Sequence, residues 1–163
     1  MIHKVEGDIL LSSASAIVLG VGINDPMDKG LALALHNRYP DICKDFNRWC
    51  HQYNTKPGEA WLWTDPNNIK IINLIIQDSI DTHEYHFGKA TLNNLKHALD
   101  ALVKIILHKR ITSIALPKLG TGSGDLDWDD VRPVIENSLG NIDIPVYLYT
   151  RYYAGQKAEE LKT

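Results

Sequence analysis

The segment Ala115 to Trp128, ALPKLGTGSGDLDW, limits the fold of this chain more than any other part of it. Apolar residues run into Gly120, Gly122 and Gly124, and an amphipathic stretch opens at Trp128. Alternating glycines give up chain entropy that a plain turn need not lose, and they let backbone N–H groups come close to an anion. A helix N-terminus just beyond adds partial positive charge. Strand, glycine loop and helix form a phosphate cradle in outline, which favours a ligand here over an empty connection. The spacing is neither GxGxxG nor GxxxxGK[ST], so neither the dinucleotide fingerprint nor a P-loop is supported.

The rest of the chain repeats the alternation. Apolar, β-rich runs at 16–20, 59–64, 70–76, 113–117 and 146–150, with a weaker one at 2–7, read as strands. Amphipathic stretches at 30–39, 42–52, 91–109 and 128–139 read as helices. In the third of these, Leu92, Leu95, Leu99, Leu102, Val103 and Ile106 recur at helical spacing. Before the last, Asp127 or Leu126 leads in, Asp129 and Asp130 suit the first turn, and Pro133 is tolerated early. This order predicts an α/β fold with helices on both faces of a sheet. Residues 54–58 and 65–68 carry turn chemistry. One domain over residues 1–154 is expected, followed by a polar tail, 155–163, read as a frayed helix or disordered end.

A second strand-to-helix connection, Leu19-Gly-Val-Gly-Ile-Asn-Asp-Pro-Met-Asp-Lys-Gly-Leu-Ala32, also carries glycines. Two such loops at strand C-termini can meet in one crevice, where open α/β sheets bind ligands. Asn24 or Asp25 is then placed for a sugar hydroxyl, and Lys29 or the Gly30 backbone for phosphate. Taken alone, Asn24-Asp25-Pro26 reads equally well as a turn. Asp8 follows the first strand, where an acidic side chain can accept from an exocyclic amine but is more often a turn residue. Tyr149, ending the last strand, can stack on a base or simply pack.

Composition excludes some functions. A formal net charge of −3 argues against non-specific nucleic-acid or membrane-surface binding, since both need a large positive field. Glu6 and Asp8 interrupt any signal-like N-terminus, and no apolar run is long enough to span a bilayer. Cys43 and Cys50 fall on one helix, roughly 10 Å apart by helical rise, beyond disulfide reach. They read as small buried hydrophobes in a cytoplasmic protein. His83 and His86 form an HxxH without a clear third ligand, so no metal is expected. Trp49, Trp61, Trp63 and Trp128 read as core or edge packing. Oligomeric state is not legible.

Several motifs together resemble a macrodomain: Gly7-Asp8-Ile9, Met27-Asp-Lys-Gly30-Leu-Ala32, Arg38-Tyr-Pro40, Lys56-Pro-Gly58, Ile72-Asn73 and, most specifically, Leu116-Pro-Lys-Leu-Gly-Thr-Gly-Ser-Gly-Asp-Leu-Asp-Trp128. The resemblance covers nearly the whole chain in order. It is closest to the branch containing the terminal ADP-ribose protein glycohydrolase and the antitoxin that removes ADP-ribose from DNA. It implies a three-layer α/β/α fold with a mixed sheet, and ADP-ribose or an ADP-ribosylated substrate as ligand, with no cofactor. Nucleic acid would enter only as such a substrate. Carried over by position, Asp8 and the Ile9 backbone hold the adenine amine. Gly22, Met27, Lys29, Gly30 and Leu31 wrap the distal ribose and diphosphate. Gly120, Thr121, Gly122, Ser123, Gly124 and Asp125 cradle the phosphates from the other side, Pro117, Leu119 and Leu126 join the ligand-binding set, and Tyr149 lies by the adenine face.

The sequence departs from the family where hydrolases carry catalytic groups. Leu19 and Gly22 stand where an Asn-x-x-Asn is common, and Gln77 stands at a lysine position of the glycohydrolase branch. Gln77 can neither form a Schiff base nor carry that charge. Asp125, Asn24 and Gln77 are therefore the candidate catalytic residues for hydrolysis of an ADP-ribosyl linkage. The alternative is a non-catalytic reader of ADP-ribose or a related nucleotide; a general phosphometabolite enzyme is a third reading.

Overall fold

The computed structural model describes residues 1–78 and 88–161. Six strands, β1 Ile2–Gly7, β2 Ala16–Gly22, β3 Ala60–Thr64, β4 Lys70–Gln77, β5 Ile114–Leu116 and β6 Val146–Tyr152, form one sheet in the order β1-β6-β5-β2-β4-β3. All neighbours are parallel except β3 and β4. Four helices, α1 Gly30–Arg38, α2 Asp41–Tyr53, α3 Leu92–His108 and α4 Trp128–Leu139, cover it. A 3-10 turn, Ile9–Leu11, follows β1.

The layers follow from side-chain parity in a sheet buried on both faces. On β4, Ile72, Leu74 and Ile76 join Leu95, Leu99 and Leu102 of α3 and Val131 and Ile135 of α4 in one core. Ile71 and Ile75 point the other way, into a second core with Leu35 of α1 and Ile42 and Phe46 of α2. The expected three-layer α/β/α architecture with a mixed sheet is thus present. Thr91 caps α3 by accepting the Asn94 N–H at 3.0 Å, and Asp127 caps α4 by accepting that of Asp129 at 3.0 Å. Trp49, Trp61 and Trp63 pack as expected, with Phe46 and Tyr39 against their rings.

Two differences from the sequence reading have local causes. Strands β2 and β4 run on to Gly22 and Gln77, because their pairing continues through a bulge between Val21 and Gly22. The tail is not frayed over 155–161: the Asp8 N–H donates to the Gln156 carbonyl at 2.7 Å, and Ala158 is buried. The backbone at Gly155 and Gln156 and the Glu160 side chain find partners on the body, which composition alone does not reveal. The HxxH of His83 and His86 lies outside the described residues. Among the described residues no helix is long and apolar enough to cross a membrane, and no metal-holding cluster occurs.

Topology places the site. Strand β2 leads into α1 on one face, and its neighbour β5 leads into α4 on the other. Chain paths therefore diverge between β2 and β5, and a crevice opens beyond their C-terminal ends.

Candidate functional site

The crevice has two lobes. The first, about 340 Å³, lies between the β2–α1 loop (Asp25, Asp28, Lys29, Gly30) and the β5–α4 loop (Lys118, Leu119, Gly120, Gly122, Ser123, Gly124), with Leu19, Gly20, Ile76 and Gln77 contributed by strand ends. The second, about 400 Å³, is mostly apolar and is lined by Ile9, Leu10, Ala34, Tyr149 and Tyr152. Gly30, Leu31 and Pro117 line both, so the lobes meet there.

The β2–α1 loop is shaped by a buried carboxylate. Asp25 Oδ2 accepts the Gly22 N–H and Oδ1 accepts the Met27 N–H, both at 2.9 Å. This Asx turn carries Asn24 and Met27 through left-handed conformations, at φ 55° and 52°. Met27 is wholly buried in the α1/α2 core, so it anchors the loop instead of touching the crevice. Asn47 Nδ2 donates to the Asp25 carbonyl at 3.3 Å and the Cys43 thiol to that of Pro26 at 3.4 Å, tying the loop to α2. Burial pushes the Asp25 carboxyl above its ordinary 3.8, against the backbone donors from Gly22 and Met27. Gly30 opens α1 at φ +55°, and a Cβ there would meet nothing within 4 Å, leaving its backbone open to the crevice.

The β5–α4 loop is a tight coil of backbone. The Leu126 N–H donates to the Gly120 carbonyl at 2.8 Å, the Asp125 N–H to that of Gly122 at 3.0 Å, and the Ala90 N–H to that of Gly124 at 3.1 Å. Thr121 turns its hydroxyl inward to the Lys118 carbonyl at 2.8 Å. The Lys118 ammonium sits 5.4 Å from the Trp128 ring centroid, at the rim of the first lobe. Asp127 takes up a first-turn N–H of α4, and the loop lines the crevice where the helix end does not. Beneath it, Gln77 Nε2 donates to the Gly88 carbonyl at 3.1 Å and lies 3.5 Å from Ser123 Oγ.

Of the residues singled out in sequence, Ile9, Lys29, Gly30, Leu31, Gln77, Pro117, Leu119, Gly120, Gly122, Ser123, Gly124 and Tyr149 line one lobe or both. Asn24 and Asp125 are exposed and line neither. Gly22, Met27, Thr121 and Leu126 shape the loops from behind. Asp8 is buried, with Oδ1 accepting from the Leu10 N–H at 3.0 Å and Oδ2 from the Gly155 N–H at 2.9 Å. Sequence reasoning missed Asp28, Lys118, Leu10, Ala34 and Tyr152. Asp28, Lys118 and Leu10 neighbour residues it did name, and Ala34 lies one helical turn beyond Gly30 and Leu31. Tyr152 falls on the wrong parity from Tyr149 in an unbroken strand, but the β1–β6 register shifts between Val5 and Glu6 and restores it to the same side.

The six-stranded sheet covered by helices on both faces, with a switch-point crevice that joins an apolar lobe to a glycine-lined polar one, makes this an α/β/α module with its candidate site at the C-terminal ends of β2 and β5. Residues 23–135 match the Macro domain family model: the chain belongs to the macrodomain family. The DNA ADP-ribosyl glycohydrolase of Mycobacterium tuberculosis (strain ATCC 25618 / H37Rv) is 28% identical over 150 residues, covering 90% of this chain and 42% of the relative. The Thermus aquaticus protein of the same name is 27% identical, covering 91% and 41%. This chain thus spans about two fifths of the length of these relatives. Among solved structures, the macrodomain of Mycobacterium tuberculosis DarG superposes with a TM-score of 0.81 at 26% identity, covering 91% of this chain and 97% of that one. That of Thermus aquaticus DarG gives 0.79 at 26%, covering 92% and 98%.

Proposed function

We propose that this chain binds ADP-ribose, free or attached to a substrate, and hydrolyses an ADP-ribosyl linkage. The junction of the two lobes at Gly30, Leu31 and Pro117 carries the reading. A ligand with an aromatic base at one end and an anionic diphosphate in the middle matches that sequence of surfaces. The base lies in the apolar lobe beside Ile9, Leu31 and Tyr149; the diphosphate lies against the backbone of Gly30 and of Gly120 to Gly124. The distal ribose then reaches Asp28 and Gln77. Hydrolysis forms a bond from water oxygen to the anomeric carbon and breaks the bond to the leaving group, which takes up a proton. Gln77 can orient a ribose hydroxyl, and Asp28 is the lining carboxylate outside the Asx turn, able to take the proton from water. Relatives named for acting on DNA support ADP-ribosylated DNA as the substrate class. Free thiols at Cys43 and Cys50 support a cytoplasmic location.

A second reading, a reader that binds without turnover, is favoured by one observation: Asn24 and Asp125 lie outside both lobes. Calorimetric titration with ADP-ribose, AMP and NAD, with Gly122→Glu as a blocked-crevice variant, tests binding. Incubation with ADP-ribosylated DNA and ADP-ribosylated protein, scored for released ADP-ribose, tests turnover. Selective binding with release supports the hydrolase, binding without release supports the reader, and no binding by folded protein removes both.

A further inference from the structure

Residues 155–161 do more than close the fold. Glu160 Oε2 accepts from the Tyr149 hydroxyl and from Ser12 Oγ, each at 2.6 Å, while Oε1 accepts the Ser13 N–H at 2.9 Å. One tail carboxylate therefore links the wall of the apolar lobe, Tyr149, to the turn carrying its floor, Ile9 and Leu10. A second tether lies five residues earlier, where Gly155 donates to Asp8 Oδ2 and Gln156 accepts from the Asp8 N–H. Between them Ala158 is buried in a small core with Val5, Ile9 and Tyr149. Gly7 is part of the same arrangement: a Cβ there would stand 2.7 Å from the Gln156 carbonyl oxygen and 2.9 Å from the Ala158 nitrogen. The glycine that opens Gly7-Asp8-Ile9 is thus required by the passing tail.

We infer that the C-terminal segment 155–161 is a strap that sets the base-binding lobe, with Glu160 the positioning residue that fixes Tyr149 against Ile9 and Leu10. The inference rests on the ADP-ribose reading for its ligand and on the hydrogen bonds above for its mechanism. Glu160 touches no lining surface of its own and acts through Tyr149 and the 3-10 turn. The strap makes recognition of the base depend on residues beyond position 154, so a module cut at that point would keep its sheet and its phosphate loops but lose base discrimination.

The test compares wild type, Glu160→Ala, Tyr149→Phe, the double variant and a chain ending at residue 154, titrated with ADP-ribose and GDP-ribose. Glu160→Ala should weaken ADP-ribose binding about tenfold, the scale of one charge-assisted hydrogen bond. The preference for ADP-ribose over GDP-ribose should narrow with it, because a loosened lobe fits both bases alike. Glu160→Ala and Tyr149→Phe should be non-additive, as for groups acting through one contact. The truncated chain should behave like Glu160→Ala or worse. An unchanged preference, or additive effects, overturns the inference even if melting temperature falls. Should wild type bind neither ligand, the ADP-ribose reading fails, and the strap is judged by hydrogen exchange alone: Glu160→Ala must accelerate exchange at the Ser13 N–H, and no acceleration overturns it.

Discussion

Gly122 and Gly124 are separated by one residue in the same loop, yet substitution by alanine should have opposite consequences. A Cβ at Gly124 would stand 2.7 Å from the Gly120 carbonyl oxygen and 2.8 Å from Ala90 Cβ, with no flexible side chain to give way. A Cβ at Gly122 would meet nothing within 4 Å. Neither residue has positive φ, so backbone strain does not blur the comparison. Overpacking of this kind costs about 1–3 kcal/mol, and for a chain of this size each kcal/mol moves the melting temperature by roughly 2–4 °C. Gly124→Ala should therefore melt about 2–12 °C below wild type. Gly122→Ala should melt at or slightly above it, since alanine narrows the unfolded ensemble by about 0.4–1 kcal/mol where the native backbone accepts it. Thermal unfolding followed by circular dichroism reads both. The loop must also open at Gly120 to admit a Cβ at 124, so Gly124→Ala should lose ADP-ribose affinity as well as stability. Equal melting temperatures would refute the close approach of the loop's two ends, and with it the argument that backbone packing shapes the polar lobe.

Other expectations follow from single sites. Asn73 is wholly buried on β4, with neither amide atom hydrogen-bonded, so Asn73→Leu should raise stability by about 1–3 kcal/mol in urea titration; a loss would show that the amide is satisfied in solution. The Asp25 carboxyl is raised above its ordinary 3.8 by burial, so the folded state holds that proton more tightly than the unfolded chain. Its contribution to stability should be fullest below 3.8 and decline as pH rises through the folded value, a slope that Asp25→Asn should remove from a pH series of melts. Asp125→Gly and Asn24→Gly should leave ADP-ribose affinity within about twofold, as expected of exposed residues outside both lobes. Asp28→Asn should abolish release of ADP-ribose from modified DNA while retaining binding; full turnover in that variant would exclude Asp28 as the base.

The periodic parts of this fold were legible because burial writes itself into spacing. The leucines of α3 and the apolar run of β4 could each be read without coordinates, Asp127 is one of two residues that read as leading into α4, and the glycine loops lie where strand ends required; the cap at Thr91 is not legible in that way, that residue reading as helical. Contacts between distant segments could not be read this way. Asp8 looks like a residue with a free carboxylate until Gly155, 147 residues later, is seen to donate to it. Glu160 looks like an ordinary charged tail residue until Ser12 and Tyr149 surround it. Met27 sits in a loop flanked by polar residues, and nothing in that spacing shows that the turn at Asp25 drives it into the core. Asn24 and Asp125 have the chemistry of catalytic groups, but both sit in turns with left-handed backbone and their side chains are exposed, a direction that residue type alone does not give.

These placements separate binding from hydrolysis in physical terms. Most close approaches to the proposed diphosphate come from backbone, at Gly30 and along Gly120 to Gly124, and the supports for that backbone are themselves mostly main-chain hydrogen bonds. Such a cradle is indifferent to the side chains at positions 19, 22 and 77, where this sequence carries Leu19, Gly22 and Gln77. Leu19 is nearly buried and belongs to the α1/α2 core as much as to the crevice, and the Gly22 N–H is committed to Asp25. Loss of catalytic side chains there would leave affinity intact, so tight binding cannot distinguish hydrolase from reader. Only a single-turnover measurement on an ADP-ribosylated substrate can, and its outcome turns on whether Asp28 and Gln77 suffice to activate water at the distal ribose.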